Sequence, residues 1–499
     1  MQKLLMVPLD ERPCNAAFPS MMCVDCADVE LLLPPACLLG NKKRPAAVEA
    51  LGDWVRQHID ECDAAILSAD MLVYGGIVPS RLHHLSAEEA LCRLGILRDL
   101  KQAAPQTKLY AFSLIMRAPA YNSSDEEPDY YEQYGRALYE IGAYTDQQAQ
   151  TPLTPQESES LSQRRAEVPP EVLKDFANRR EVNRAVNEAA AELVREGVLD
   201  FLVIPLDDCA RYGWAASEQR ALRSRIVEER LSDRVFQYSG ADEVGSVLLA
   251  RAVNGVRGRV PAVYINYSAI QGSLIVPKYE DRPLGENLKW QIAAAGGRIC
   301  ATPEEADFVL LVNAPTAGGE AMGEASQPYT ELDASYSSQR CLPALAMELR
   351  VLAKRKPVAL ADLAFANGAD CELMRMLQRQ ALLRELTSYA GWNTAANAAG
   401  TCIAHMMLRL GQSTGSSVFT KLRLLEDWGY MADLRQQAIM WVTERGGRAY
   451  AEAHEQELAA YLRDGLQRYA DECELSVHVD EVTFPWRRLF EIGIQLTCE

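Results

Sequence analysis

The chain has 499 residues, with 51 Lys plus Arg against 69 Asp plus Glu, giving a formal charge of −18. Apolar residues make up 48% and charged residues 24%. These are ordinary values for a globular protein, and they exclude wholesale disorder and collagen-like or low-complexity architectures. The acidic balance leaves no basic stripe to displace phosphate counterions, so neither nucleic acid nor an anionic membrane surface is an expected partner.

Residues 4–9 form an apolar run that ends in Asp10-Glu11-Arg12. That run is too short for the apolar core of a secretory leader and reads as the first strand of a cytoplasmic protein. No run of about 18 apolar residues follows, so no membrane span is expected. Thirteen cysteines, an odd number scattered along the chain, fit reduced thiols better than a disulfide framework. Cys23 and Cys26 form a lone C-x-x-C without a second pair, and they read as small buried hydrophobes rather than zinc ligands.

Further strand-like runs lie at 64–68, 108–116, 201–206, 262–266, 308–312 and 357–361, with weaker ones at 29–33, 235–238 and 297–300. Helical patterns fall between them, at 46–59, 87–101, 178–196, 243–253 and 284–295. Residues 143–170 are rich in Gln, Ser, Thr, Glu and Pro and read as a surface excursion leading into a helical hairpin. After about residue 400 the pattern is mostly helical, with Trp428, Trp441 and Tyr461 as anchors, until 475–482 alternates like a half-buried strand. Strands alternating with helices indicate an α/β fold with mainly parallel sheets. The expected layout is two Rossmann-like domains, 1–235 and 236–400, plus a helical region at 401–499. A decorated (β/α)8 barrel is the alternative. Both place ligands at the carboxyl ends of the strands.

Those strand ends carry the candidate chemistry. Asp10, Glu11, Arg12 and Asn15 follow the first strand, and Asp70, Tyr74, the Gly75-Gly76 turn and Arg81 follow the third. Arg117 follows the fourth, and Asp207, Asp208 and Tyr212 the fifth. Trp392, Asn393 and Asn397 come shortly after Tyr389. A single strand-end Asp is often only a helix cap, and Asp242-Glu243 and Asp362 read that way. The Asp207-Asp208 doublet resists that reading, because adjacent carboxylates repel and only one can cap. No G-x-G-x-x-G follows a strand, and neither a P-loop nor H-E-x-x-H occurs. No cofactor is therefore expected, although a divalent cation held by carboxylates stays open.

Several of these segments are long motifs: VPLDERPCN at 7–15, DMLVYGG at 70–76, MRAP at 116–119, DEEPDYY at 125–131 and PLDD at 205–208. GADEVG at 240–245, AFANG at 364–368 and GWNTAAN at 391–397 continue the series. Together they resemble a bacterial family catalogued as domain of unknown function 4127, over essentially the whole chain. The resemblance implies that these segments are shared motifs and points toward bacterial carbohydrate metabolism. It brings no catalytic residues with it.

Carboxylates remain as the acid–base tools, and glycoside hydrolysis needs little more. The first expectation is a carbohydrate-active hydrolase, a glycosidase. Asp207 or Asp208 would be one member of the catalytic pair, and Asp10, Glu11 or Asp70 the other. Arg12, Arg81 and Arg117 would hold an anionic group, while Asn15, Tyr74, Tyr212, Trp392, Asn393 and Asn397 would orient a small carbohydrate. This reading fails if the candidate carboxyls are too far apart or buried in ion pairs. The alternatives are a metal-assisted sugar or hydroxy-acid isomerase or lyase, with Asp70, Asp207, Asp208 or Asp362 converging on one cation, and a non-catalytic sugar-binding protein.

Overall fold

A computed structural model describes residues 1–24, 26–412, 415–447 and 454–498. The chain divides into two compact units. The first comprises Met1–Glu11, Asp28–Ala252 and Tyr279–Asp281, and the second Arg12–Ala27, Val253–Lys278 and Arg282–Glu499.

The first unit is built on a six-stranded sheet in the order β2-β1-β3-β4-β5-β6, every pair parallel. Its strands are β1 (Gln2–Val7), β2 (Val29–Leu32), β3 (Ala64–Ser68), β4 (Lys108–Phe112), β5 (Phe201–Val203) and β6 (Val235–Phe236). β3 is buried throughout, as a strand covered on both faces must be. Burying each Leu or Ile side chain stabilises by about 1.5–3 kcal/mol. The expected runs at 108–116 and 201–206 are longer than the strands that form. Pro205 explains the early stop, because it has no N–H for the ladder. Its carbonyl still accepts from Ile115 N at 2.9 Å, and single parallel bridges join Ile115 to Leu206 and Leu206 to Ser239. The ends of β4 and β5 are thus irregular, which frees side chains there to turn toward one another. The polar stretch at 143–170 runs from the end of the helix Tyr131–Gln150 through Pro155–Glu167 to the start of Pro170–Arg195, with short connections at 151–154 and 168–169. The helical pattern at 87–101 breaks at Gly95 into Ala87–Leu94 and Ile96–Ala103.

The second unit holds a five-stranded parallel sheet in the order β11-β10-β9-β7-β8. The strands are β7 (Ala262–Tyr267), β8 (Arg298–Ile299), β9 (Phe308–Asn313), β10 (Val358–Asp362) and β11 (Ser388–Ala390). β11 gave no sequence signal, being three residues without an apolar run. A largely helical region follows, and it ends in an antiparallel pair, β12 (Val477–Thr483) and β13 (Gly493–Cys498). The molecule therefore has two open parallel sheets of Rossmann-like kind, and the (β/α)8 barrel alternative is not what forms. Among the described residues no helix is long and apolar enough to cross a membrane. All thirteen cysteines are free, and Cys23 and Cys26 are buried.

The Gly75-Gly76 turn brings two backbone segments close together. Gly75 ends the helix Ala69–Tyr74 with φ 91°, and its carbonyl accepts from Ala46 N at 3.0 Å. A Cβ there would stand 2.6 Å from Ala46 N and 2.7 Å from Pro45 Cβ. Gly197, at φ 78°, has nothing within 4 Å of such a Cβ. Gly75→Ala should therefore cost about 2 kcal/mol or more, since strain and clash add, whereas Gly197→Ala should cost only about 1 kcal/mol. Urea-unfolding midpoints of the two variants measure the difference; equal midpoints would contradict it.

Candidate functional site

At the carboxyl ends of β3, β4 and β5, two arginines and four carboxyls form a closed ring. Arg81 is supplied by the short helix Pro79–Leu82 after the glycine turn, and Arg117 by the irregular stretch after β4. Arg81 Nη2 donates to Asp207 Oδ2 at 2.7 Å, and its Nη1 to Glu126 Oε2 at 3.0 Å and Glu127 Oε1 at 3.4 Å. Arg117 Nε donates to the same Glu127 oxygen at 2.8 Å, and its Nη2 to the same Glu126 oxygen at 3.2 Å. Arg117 Nη1 reaches Asp208 Oδ2 at 3.2 Å. Each glutamate thus bridges both guanidinia, and each aspartate is held by one.

Exposure separates the members. The side chains of Arg81 and Glu127 are 2% and 1% exposed, and those of Asp207 and Arg117 are each 11% exposed. Asp208 is the most open, at 27%. It also has φ 41°, a left-handed backbone that costs a non-glycine residue about 1–3 kcal/mol and gathers at functional sites. Loss of water raises the Asp208 carboxyl to about 6; the Asp207 charge pushes the same way, and Arg117 and Arg81 oppose it. Asp70 is buried at the start of its helix, where Ser68 is the cap. Its Oδ2 accepts from Leu114 N at 2.9 Å, tying the end of β3 to that of β4. Burial first, then the charge of Asp207, raises Asp70 to about 7 against that hydrogen bond and Arg81. Two carboxyls that hold a proton near neutral pH therefore share Asp207 as a neighbour.

Of the expected residues, the structure brings together Asp70, Arg81, Arg117, Asp207 and Asp208. The two arginines do not stand ready for an anionic substrate, because carboxylates take up their guanidinia. Asp10 is buried at the end of β1, and Glu11 Oε1 accepts from Lys42 N at 2.7 Å. Neither contributes an oxygen to Arg81 or Arg117. Tyr74 is buried and stacks on His83 at 4.5 Å, and Arg211 lies 5.2 Å over the half-buried Tyr212 ring. Tyr121 is 49% exposed, and its hydroxyl feels the charges of Arg117, Glu126 and Asp208. It is the open aromatic beside the ring.

The remaining expected residues belong to the second unit. Arg12 is buried, 3.9 Å from Glu491 and 4.5 Å over Trp486. Arg488 covers Trp486 at 4.6 Å and Phe490 at 5.0 Å, and Phe490 meets the buried Trp392 at 5.9 Å. Asn15 is buried, with Nδ2 3.5 Å from Cys14 Sγ. Asn393, at φ 73°, accepts through its carbonyl from Asn367 N at 3.0 Å. Asn397 N donates to Thr394 Oγ1, the cap of the helix Ala395–Arg409.

Asp362 is not a helix cap. It is buried at the end of β10 and accepts from Asn313 Nδ2 at 2.8 Å, Asp370 N at 2.9 Å and Tyr389 OH at 3.3 Å. Asp370 caps the next helix instead and takes Arg340 as its ion partner. Burial, with the charge of Asp370, raises Asp362 to about 7. Sequence reasoning also passed over Glu126 and Glu127. Their signal was a run of three acids, Asp125-Glu126-Glu127, within ten residues of Arg117, which demands nearby cations if any part of it is buried. Among the described residues no group of three or more His, Cys, Asp or Glu side chains is placed to hold a metal ion.

An acid whose folded pKa lies above its unfolded value binds a proton on folding between the two, so stability falls as pH rises across that interval. For Asp70 the interval runs from about 4 to about 7. Asp70→Asn, which keeps an oxygen for Leu114 N, should remove this slope. Relative to wild type the variant should gain stability from pH 5 to pH 8, by up to about 1.4 kcal/mol per unit of pKa shift. Paired melting curves across that range test it, and a pH-independent difference would refute the assignment.

No curated protein matches the chain. Among solved structures, it is similar to the carboxyl transferase domain from Rhizobium etli pyruvate carboxylase with 3-bromopyruvate, at 10% identity and a TM-score of 0.21. That alignment covers 95% of this chain and 61% of the other, so this chain spans about three fifths of its length. A likeness that slight carries no argument about fold or chemistry. The family described as "Protein of unknown function (DUF4127)" matches residues 4–495, and the chain belongs to that family.

Proposed function

We propose that the chain is a carbohydrate-active hydrolase of glycosidase type, with Asp208 as its acid and Asp207 as the carboxylate beside it. The observation that supports this reading is the pair of unlike carboxyls in one cluster. Asp207 is tied to Arg81, while Asp208 is the most open member of the ring and is raised to about 6. A carboxyl whose environment raises its proton affinity toward neutral pH is suited to act as a general acid. Protonated Asp208 would donate to the leaving glycosidic oxygen, and the resulting carboxylate would be steadied by Arg117. Asp207 would support the developing positive charge at the sugar carbon or activate water there. Asp70, out of contact with solvent, ties the end of β3 to that of β4 through Leu114 N and is a positioning residue. Tyr121 offers an exposed aromatic face next to the carboxyls, suited to a sugar ring.

The ion pairs of Asp207 and Asp208 weigh on this reading, because a catalytic carboxyl must be reachable. Asp208 meets that requirement best: a single guanidinium contacts it, and its other oxygen takes no hydrogen bond from Arg117. Free thiols and the acidic surface fit a cytoplasmic protein that acts on small soluble carbohydrate, without nucleic acid or membrane as partner.

Purified protein assayed against chromogenic glycosides should show turnover that falls as pH rises through about 6, because the acid must hold its proton. Asp208→Asn should lower kcat by about 10²-fold or more, whereas Asp99→Asn on an exposed helix should not. Turnover equal in Asp208→Asn and wild type would remove the proposed acid, and a panel without any hydrolysis would remove the glycosidase reading.

A further inference from the structure

The second unit contains a cavity of about 250 Å³ among its C-terminal helices. It lies between the helix Cys371–Arg379, the π-helix Leu424–Leu434, the helix Arg435–Glu444 and the helix Glu455–Glu472. A π-helix of eleven residues is uncommon, and such segments concentrate at functional sites. Four charged side chains line the cavity: Arg375, Arg468, Asp433 and Glu472. Two are positive and two negative, yet no ion pair joins them. Among the described residues the guanidinium of neither Arg375 nor Arg468 makes a hydrogen bond or ion pair. Arg468 and Glu472 stand four apart on one helix, where opposite charges can meet, and still remain separate.

Asp433 is fixed by neutral donors. Tyr469 OH donates to its Oδ2, and Gln437 Nε2 to its Oδ1 at 3.0 Å. The carboxylate is therefore held in place without a cation against it. Trp428 is 3% exposed and packs edge-on to Tyr469 at 5.4 Å, forming an apolar wall. Its indole N–H has no hydrogen-bond partner. Both signs thus line one small space without pairing, and the two arginines keep solvent-exposed surface. A framework of that kind favours a guest with both signs. A guanidinium fork matches a carboxylate, and two carboxylates suit an ammonium group. The volume corresponds to about eight waters at roughly 30 Å³ each, enough for a small molecule and too little for a peptide.

We infer that this cavity binds a small zwitterion of the α-amino-acid class, its carboxylate between Arg375 and Arg468 and its ammonium facing Asp433 and Glu472. No bond is made or broken there; the site is for binding, and nothing in the inference depends on hydrolysis at Asp208.

Calorimetric titration of the full chain with glycine, L-serine and L-glutamine tests it, with acetate, methylammonium and inorganic phosphate as single-charge probes. At least one amino acid should bind saturably and raise the melting temperature. Acetate and methylammonium should each bind at least about tenfold more weakly, as should the amino acid to Arg375→Gln or Arg468→Gln. Both arginines are exposed, so these variants should keep the wild-type circular dichroism spectrum. The inference is overturned if no amino acid binds. It is equally overturned if acetate or phosphate binds as tightly as the amino acid, or if the double arginine variant binds unchanged.

Discussion

The candidate site depends on one electrostatic constraint: two guanidinia, one buried and one largely so, are shared among four carboxyls. Taking charges out of water is costly, and close pairing offsets that cost only when the geometry is good. Here the geometry is supplied by bridging, each glutamate oxygen serving both Arg81 and Arg117. The count nevertheless leaves the acids in excess. Ionising every carboxyl would bury uncompensated negative charge, so proton affinity must rise somewhere. It rises where a carboxyl has only one cation beside it and Asp207 close by, as at Asp208, or where a carboxyl is buried without a cation in contact, as at Asp70. The raised proton affinities and the ring around them are consequences of the same imbalance.

The second unit solves a related problem at the ends of β9, β10 and β11. Asp362 has no cation in contact and is satisfied by an amide, a backbone N–H and a phenol. Its neighbour Asp370 takes the arginine. Further along, Arg423 is buried with Glu426 and Asp427 at the start of the π-helix. Asp427 Oδ2 accepts from Gly391 N at 2.7 Å. The GWNTAAN segment is thereby anchored from the helical region, so its left-handed Asn393 is held by contacts far away in sequence.

Much of the fold was legible along the chain. Short apolar runs such as 64–68 and 308–312 can be buried only within a sheet covered on both faces, and both became central strands. What misled was local. The run at 108–116 looks uniform, but Pro205 on the neighbouring strand ends the regular ladder. Ser388–Ala390 carries no apolar pattern and pairs only because β10 offers an edge. Asp362 looks like a cap until the chain places Asp370 eight residues later as the better one.

For the site, the strand-end rule found Asp70, Arg81, Arg117, Asp207 and Asp208 from position alone, because polar residues after an apolar strand must emerge at the sheet's carboxyl edge. It could not find the pairing. Glu126 and Glu127 sit in a loop with no period to read, and their partners are fixed by the way β4 and β5 open past Phe112 and Val203. The sequence by itself determined the parallel α/β architecture, which follows from local hydrophobic pattern and strand direction, and the family, which follows from its long motifs. Only the tertiary structure decided which carboxyls are raised, because proton affinity depends on distances and burial among residues far apart in the chain, as Arg117 is from Asp208.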